Sequence, residues 1–177
     1  MNPSAAKLLV LAENGFACIR IIGRANFASS IDFRTLVTEL QAKGLKYFAI
    51  ELSECALMDS TFLGVLAGFG LKMGGAQPCE EDKAIELVNP NPRVEELLES
   101  LGVIHLFKVS KGVTKLCQGL EHSPQATATA SQEEFTRCSL EAHQILMEIN
   151  PENVAKFKDV ARFLQEDLNK LQGQDAK

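Results

Sequence analysis

From Lys7 onward the chain alternates short apolar runs with segments of helical period, and it opens that alternation with a hairpin. In KLLVLAENGFACIRIIG, two runs rich in Leu, Val and Ile flank Asn14-Gly15, the strongest short-range hairpin signal. SSIDFRTLVTELQAKG follows, with Ile31, Leu36, Val37 and Leu40 near helical spacing, Ser29 or Ser30 to cap its start and Gly44 to end it. KYFAIEL, residues 46–52, predicts a compact strand buried in the middle of a sheet. STFLGVLAGFGLKMGG predicts a helix apolar on nearly every side, closed by Gly74-Gly75. QPCEEDK reads as a polar turn, AIELVN as a strand, NPRVEELLESLG as a helix with Pro92 at its start, VIHLFKV as the last strand and KGVTKLCQGL as a short helix. The order β-β-α-β-α-β-α-β-α specifies an α/β fold. It predicts a mainly parallel sheet of four to five strands, covered by helices, with one antiparallel edge strand supplied by the hairpin.

The end of the chain has a different character. Residues 121–132, EHSPQATATASQ, are small, polar and aperiodic, which reads as a linker after a first domain over residues 1–120. Phe135, Cys138, Ala142, Ile145 and Ile149 then recur at 3-4-3-4 spacing, and Val154, Phe157, Ala161, Leu164, Leu168 and Leu171 continue the series. Asn150-Pro151 between them supplies a cap and a first helical residue. A helical hairpin over 133–173 is expected. A hairpin alone cannot bury both seams, so it should pack on the main domain or on a second chain, and its heptad-like seam suits a homodimer.

Composition narrows the function classes. A chain of 177 residues with 46% hydrophobic and 23% charged side chains is expected to be folded rather than disordered. The apolar run before Glu13 is too short for a signal-peptide core or a membrane span, so a cytoplasmic protein with no membrane role is expected. Net charge is −5, with 12 basic and 13 acidic residues in 1–120 and 6 basic and 10 acidic in 121–177. An acidic tail argues against direct nucleic-acid binding, which needs a basic face. Cys18, Cys55, Cys79, Cys117 and Cys138 are odd in number and lack a CxxC pair, so buried free thiols in a reducing compartment are expected. The three histidines are scattered, and no metal site or cofactor is expected.

The chemistry concentrates in ELSECALMDSTFLGVLAGFG, residues 51–70. Asp59 or Ser60 is a natural N-cap between a strand and a helix. A nucleophile elbow would need a GxSxG frame and a histidine base that the sequence does not place, and a P-loop would need GxxxxGK[ST]. With no Cys-His, Ser-His or metal arrangement at readable spacing, an enzyme is not expected. Gly64, Gly68 and Gly70 suit close helix packing rather than a dinucleotide fingerprint.

MDSTFLGVL, preceded by KYFAIELSECAL and followed by VNPNPRVEELLESLGVIHLFKV, resembles the STAS domain of bacterial anti-sigma factor antagonists. The likeness runs from about residue 6 to 118 and rests on element order, Asp-Ser-Thr and LLESLGVIHLF together. It implies a signalling phosphoprotein in transcription regulation: the hydroxyl of Ser60 would be phosphorylated by a cognate anti-sigma serine kinase. The unmodified form would bind that partner and the modified form release it. Asn26, Asp59, Thr61, Phe62 and Gly64 would support the site or the partner surface. Phe62 stands where the family keeps Gly, and Asn26, in GRAN, where it keeps an Asp. STAS domains also serve as binding modules elsewhere, so the other expectation is a phosphorylation-independent scaffold that uses the C-terminal helical pair.

Overall fold

A computed structural model of the protein describes residues 5–74, 83–112, 117–118 and 130–175. Asn14 and Gly15 take φ of 48° and 85°, the left-handed pair that a two-residue turn between twisted strands demands. Strand β1 (Lys7–Glu13) therefore folds back antiparallel on β2 (Phe16–Ala25), with Lys7 opposite Ile22 and Glu13 opposite Phe16. The first half of β2 pairs in parallel with β3 (Tyr47–Glu51). Its register then shifts at Gly23/Arg24, where Gly23 adopts φ of 94°, and the last residues pair with β4 (Cys55–Met58). A glycine irregularity thus lets one strand serve two parallel partners in succession. β3 pairs with β5 (Ile85–Val88) and β5 with β6 (Lys108–Ser110), both in parallel, so the sheet runs β1-β2-β3-β5-β6 with β4 beside the end of β2.

The helices are α1 (Phe27–Ala42), α2 (Ser60–Lys72), α3 (Pro92–Ser100), α4 (Gln132–Ile149) and α5 (Asn153–Asp175). Alternation along the strands sorts the two sheet faces. Ala17, Ile19, Ile21, Phe48, Ile50 and Leu87 join Phe33 of α1 and Phe62, Leu63 and Leu66 of α2 in the main core. Cys18, Ala49 and Val88 lie among a smaller cluster with Leu9 and Cys117. Helix α4 is two-sided. Cys138, Ala142 and Leu146 enter the main core, while Leu140 meets Ala161 and Leu168 of α5. The C-terminal hairpin thus packs on the main domain. No helix among the described residues is long and apolar enough to cross a membrane.

The mainly parallel α/β sheet with one antiparallel edge strand is as expected, with differences in detail. β4 is an additional strand whose four residues are too few for a period to stand out. Helix α1 starts three residues before Ser30, because Asn26 and not Ser29 or Ser30 is its cap. VIHLFKV is not one strand: Ile104–Leu106 form a 3₁₀ turn and only Lys108–Ser110 pair. Asn150 closes α4 rather than opening α5, which begins at Asn153, and Val154 lies exposed off the seam. The free-thiol expectation fails for one pair: Cys18 and Cys117 form a disulfide across 99 residues of sequence. The strand alternation turns Cys18 away from the main core toward Cys117, a proximity that spacing in sequence does not encode. Cys55 and Cys138 are buried free thiols, and burial pushes the Cys55 thiol up to about 11. Cys79, most of the expected linker and most of KGVTKLCQGL lie outside the described residues.

Candidate functional site

The pairing of Ala25 with Met58 sets the ends of β2 and β4 side by side, and the Asp59 N–H donates to the Ala25 carbonyl at 2.9 Å. The chain leaves each strand straight into a helix, so the caps of α1 and α2 are neighbours at the carboxyl end of the sheet. Asn26 caps α1 reciprocally with Ser29: its Oδ1 accepts from the Ser29 N–H at 3.3 Å, and Ser29 Oγ accepts from the Asn26 N–H at 3.1 Å. Asp59 does more than cap its own helix. Its Oδ1 accepts from the Phe62 N–H at 2.8 Å and its Oδ2 from the Phe27 N–H at 2.7 Å. One carboxylate therefore closes the first turn of both helices, where their two positive ends converge.

Ser60 is the first residue of α2 and is half-buried. Its Oγ lies 2.9 Å from Nε2 of His143 on α4. Nδ1 of the same ring lies 2.7 Å from the Ser139 carbonyl oxygen, which only accepts. In the neutral ring Nδ1 therefore carries the proton, and the Ser60 hydroxyl donates to Nε2. The His143 ring is 4% exposed and rests against Phe157 of α5, with centroids 5.0 Å apart. Next to it, Thr61 Oγ1 and Ser139 Oγ are 3.1 Å apart. Phe62 turns inward, fully buried against Phe33 with ring centroids 4.9 Å apart, so its bulk lies in the core.

One turn further along α2, the backbones of α2 and α4 meet. A Cβ on Gly64 would stand 2.4 Å from the Ala142 carbonyl oxygen, and one on Gly68 would stand 2.9 Å from Ile145 Cδ1. Gly70 serves a different neighbour, Phe107. The glycine spacing is thus a packing device, as the sequence implies. At the hairpin tip, Nδ2 of the fully buried Asn153 donates to the Leu101 and Leu146 carbonyls at 2.9 and 2.8 Å. At the opposite end, Phe27 and Phe135 meet edge to face, with Ser139 and Leu164, around a cavity of about 350 Å³.

All six predicted residues fall in this region: Asn26, Asp59, Ser60, Thr61 and Gly64 converge on the junction of α1, α2 and α4, while Phe62 supports it from the core. The residues that sequence reading missed are His143 and Ser139; Ala142, expected on the hairpin seam, meets Gly64. His143 was one of three histidines with no readable partner, and the structure places it on Ser60 across 83 positions of sequence. The only signal for it is a run of small residues on α4 (Cys138, Ser139, Ala142) that matches the glycines of α2.

The sequence profile of the STAS domain matches residues 8–116. No curated protein sequence matches the chain. Among solved structures, one described as an anti-sigma factor antagonist from Thermotoga maritima is similar, with 18% identity and a TM-score of 0.53 over 64% of this chain and 93% of that one. An anti-sigma factor antagonist from Mycobacterium paratuberculosis is 16% identical, with a TM-score of 0.53 over 67% of this chain and 96% of its own. The anti-sigma factor antagonist SpoIIAA in its unphosphorylated form is 15% identical, with a TM-score of 0.50 over 61% and 89%. At these identities the likeness is one of fold, and the class it defines is a small α/β domain built like those antagonists. The chain belongs to the STAS domain family, and α4 and α5 lie beyond the residues that the family profile matches.

Proposed function

We propose that the protein is a non-catalytic signalling module of the anti-sigma factor antagonist type. It binds an anti-sigma factor or serine kinase around the start of α2 and releases it when Ser60 is phosphorylated. The observation that carries this reading is the place of Ser60: a hydroxyl directly after the doubly capping Asp59, at the first residue of α2, in a STAS fold. A phosphate there adds about −1.5 to −2 charges at pH 7. The N-terminus of α2 tolerates that anion, so the fold survives modification. An acidic or apolar partner surface does not tolerate it, because the new charge adds to that of Asp59.

The test is to incubate the protein with ATP and the serine kinase encoded nearest to it, and to map the modification by mass spectrometry. Phosphate on Ser60, with partner capture lost in Ser60→Asp, is the expected result. No phosphate on Ser60, with full capture by Ser60→Asp, refutes the switch. The second reading, a scaffold that binds through the helical pair without phosphorylation, is favoured by the exposed Val160 and Phe163 of α5. Deleting residues 121–177 tests it: capture unchanged by that deletion refutes the pair as the interface.

A further inference from the structure

The helical hairpin lies on the face of α2 that the proposed switch needs. Helix α4 takes the Ser60 hydroxyl through His143, covers Thr61 with Ser139, and sets its backbone against Gly64. From these contacts we infer that the α4–α5 hairpin is an autoinhibitory cover. It competes within the chain for the Ser60 face, and its docking excludes both a phosphate on Ser60 and a partner on that face. The inference deepens the phosphorylation-switch reading and rests on Ser60 being the modified hydroxyl.

The docked hairpin occupies the side of Ser60 Oγ that faces α4. Modification puts three more oxygens on Ser60 Oγ, where the Nε2 of a nearly fully buried ring already stands at 2.9 Å. That ring cannot swing away, because Ser139 holds its Nδ1 at 2.7 Å and Phe157 of α5 backs its face. Nor is there a gap between α4 and α2 to take it up. Ala142, the residue before His143, touches the Gly64 backbone so closely that no Cβ fits between them. A phosphate at the observed Oγ position therefore makes room by moving α4, and α5 moves with it through the shared Leu140, Ala161 and Leu168 cluster. A kinase or partner that engages Ser60 meets the same requirement. Its apparent affinity is reduced by the fraction of molecules whose hairpin is undocked.

Phosphoserine encoded at position 60 of the full chain supplies the modified state without a kinase. Hydrogen exchange read by mass spectrometry then compares α4 and α5 with β2 and β3. At least about tenfold faster exchange in α4, with the strands unchanged, is the expected result. Unchanged or slower exchange in α4 overturns the inference, since the phosphate would then sit beneath His143 and clamp the hairpin. If phosphoserine unfolds the strands as well, alkylation by N-ethylmaleimide decides, with adducts located by mass spectrometry. The Ser60→Cys chain is compared with the Ser60→Cys, Gly64→Val chain. At least about tenfold faster adduct formation at position 60 in the double variant supports the cover, and equal rates overturn it. Neither measurement depends on a kinase, so failure of the kinase assay removes the switch and leaves the exclusion to stand or fall separately.

Discussion

Replacing Gly64 with Ala sets two effects of opposite sign against each other within one methyl group. In a helix interior the change is favourable by about 1 kcal/mol, because Ala has less backbone freedom to lose on folding. Against α4 it is unfavourable, since the new Cβ would stand 2.4 Å from the Ala142 carbonyl oxygen, where ordinary contact begins at 3.4 Å. Helix α4 must therefore retreat by the difference, about 1 Å, and overpacking of this kind costs about 1–3 kcal/mol. The retreat also stretches the Ser60–His143 hydrogen bond from 2.9 Å to beyond bonding range, a loss of about 1 kcal/mol. The clash outweighs the propensity gain, and hairpin docking should weaken by about 1–3 kcal/mol. At about 1.4 kcal/mol per decade, amides of α4 and α5 that exchange by undocking should exchange about 5–100-fold faster, with β2 and β3 unaffected. Gly173→Ala is the control: it makes the same chemical change in α5 with nothing within 4 Å of its Cβ, and should not accelerate exchange. Exchange in Gly64→Ala that is unchanged or slower, with stability raised by about 1 kcal/mol as propensity alone dictates, would refute the close approach of α2 and α4.

Three further outcomes follow from the same contacts. Asp59→Ala removes the cap of α2 and the carboxylate acceptor of the Phe27 N–H in the first turn of α1, while the Asn26–Ser29 box of α1 stays, and should lower unfolding stability by about 1–3 kcal/mol in urea titrations; a loss below about 1 kcal/mol would show that Asp59 does not bridge the two helices. Reducing the Cys18–Cys117 disulfide, which closes a long loop, should destabilise the protein by about 2–4 kcal/mol, read as a lower urea midpoint with dithiothreitol than without. Burial raises the Cys55 thiol from 9.0 to about 11, so it favours the folded state at neutral pH and that contribution is lost as pH rises from about 9 to 11. Cys55→Ala should accordingly flatten the alkaline fall of stability across that window, and an unchanged slope would place the cause elsewhere.

What the sequence by itself determined are the features governed by neighbours a few residues apart. Asn14-Gly15 sets the hairpin, Pro92 after the Asn91 cap opens α3, and the run STFLGVLAGFGLK makes α2, because turn chemistry, capping and period act within one or two turns of chain. The resemblance to the STAS pattern carried the fold further, to the parallel sheet and the prominence of Ser60. Tertiary structure alone decided which distant groups meet. The bulge at Gly23 aligns Ala25 with Met58, and only that alignment gives Asp59 a second helix to cap. Cys18 finds Cys117 because strand alternation turns it to the sheet face opposite the main core. His143 reaches Ser60 because the small residues of α4 fit the glycines of α2, a match of shapes that has no period and no fixed separation in sequence. A hydroxyl that reads locally as the start of a helix is thus, in the folded chain, held by a second helix packed on top of it.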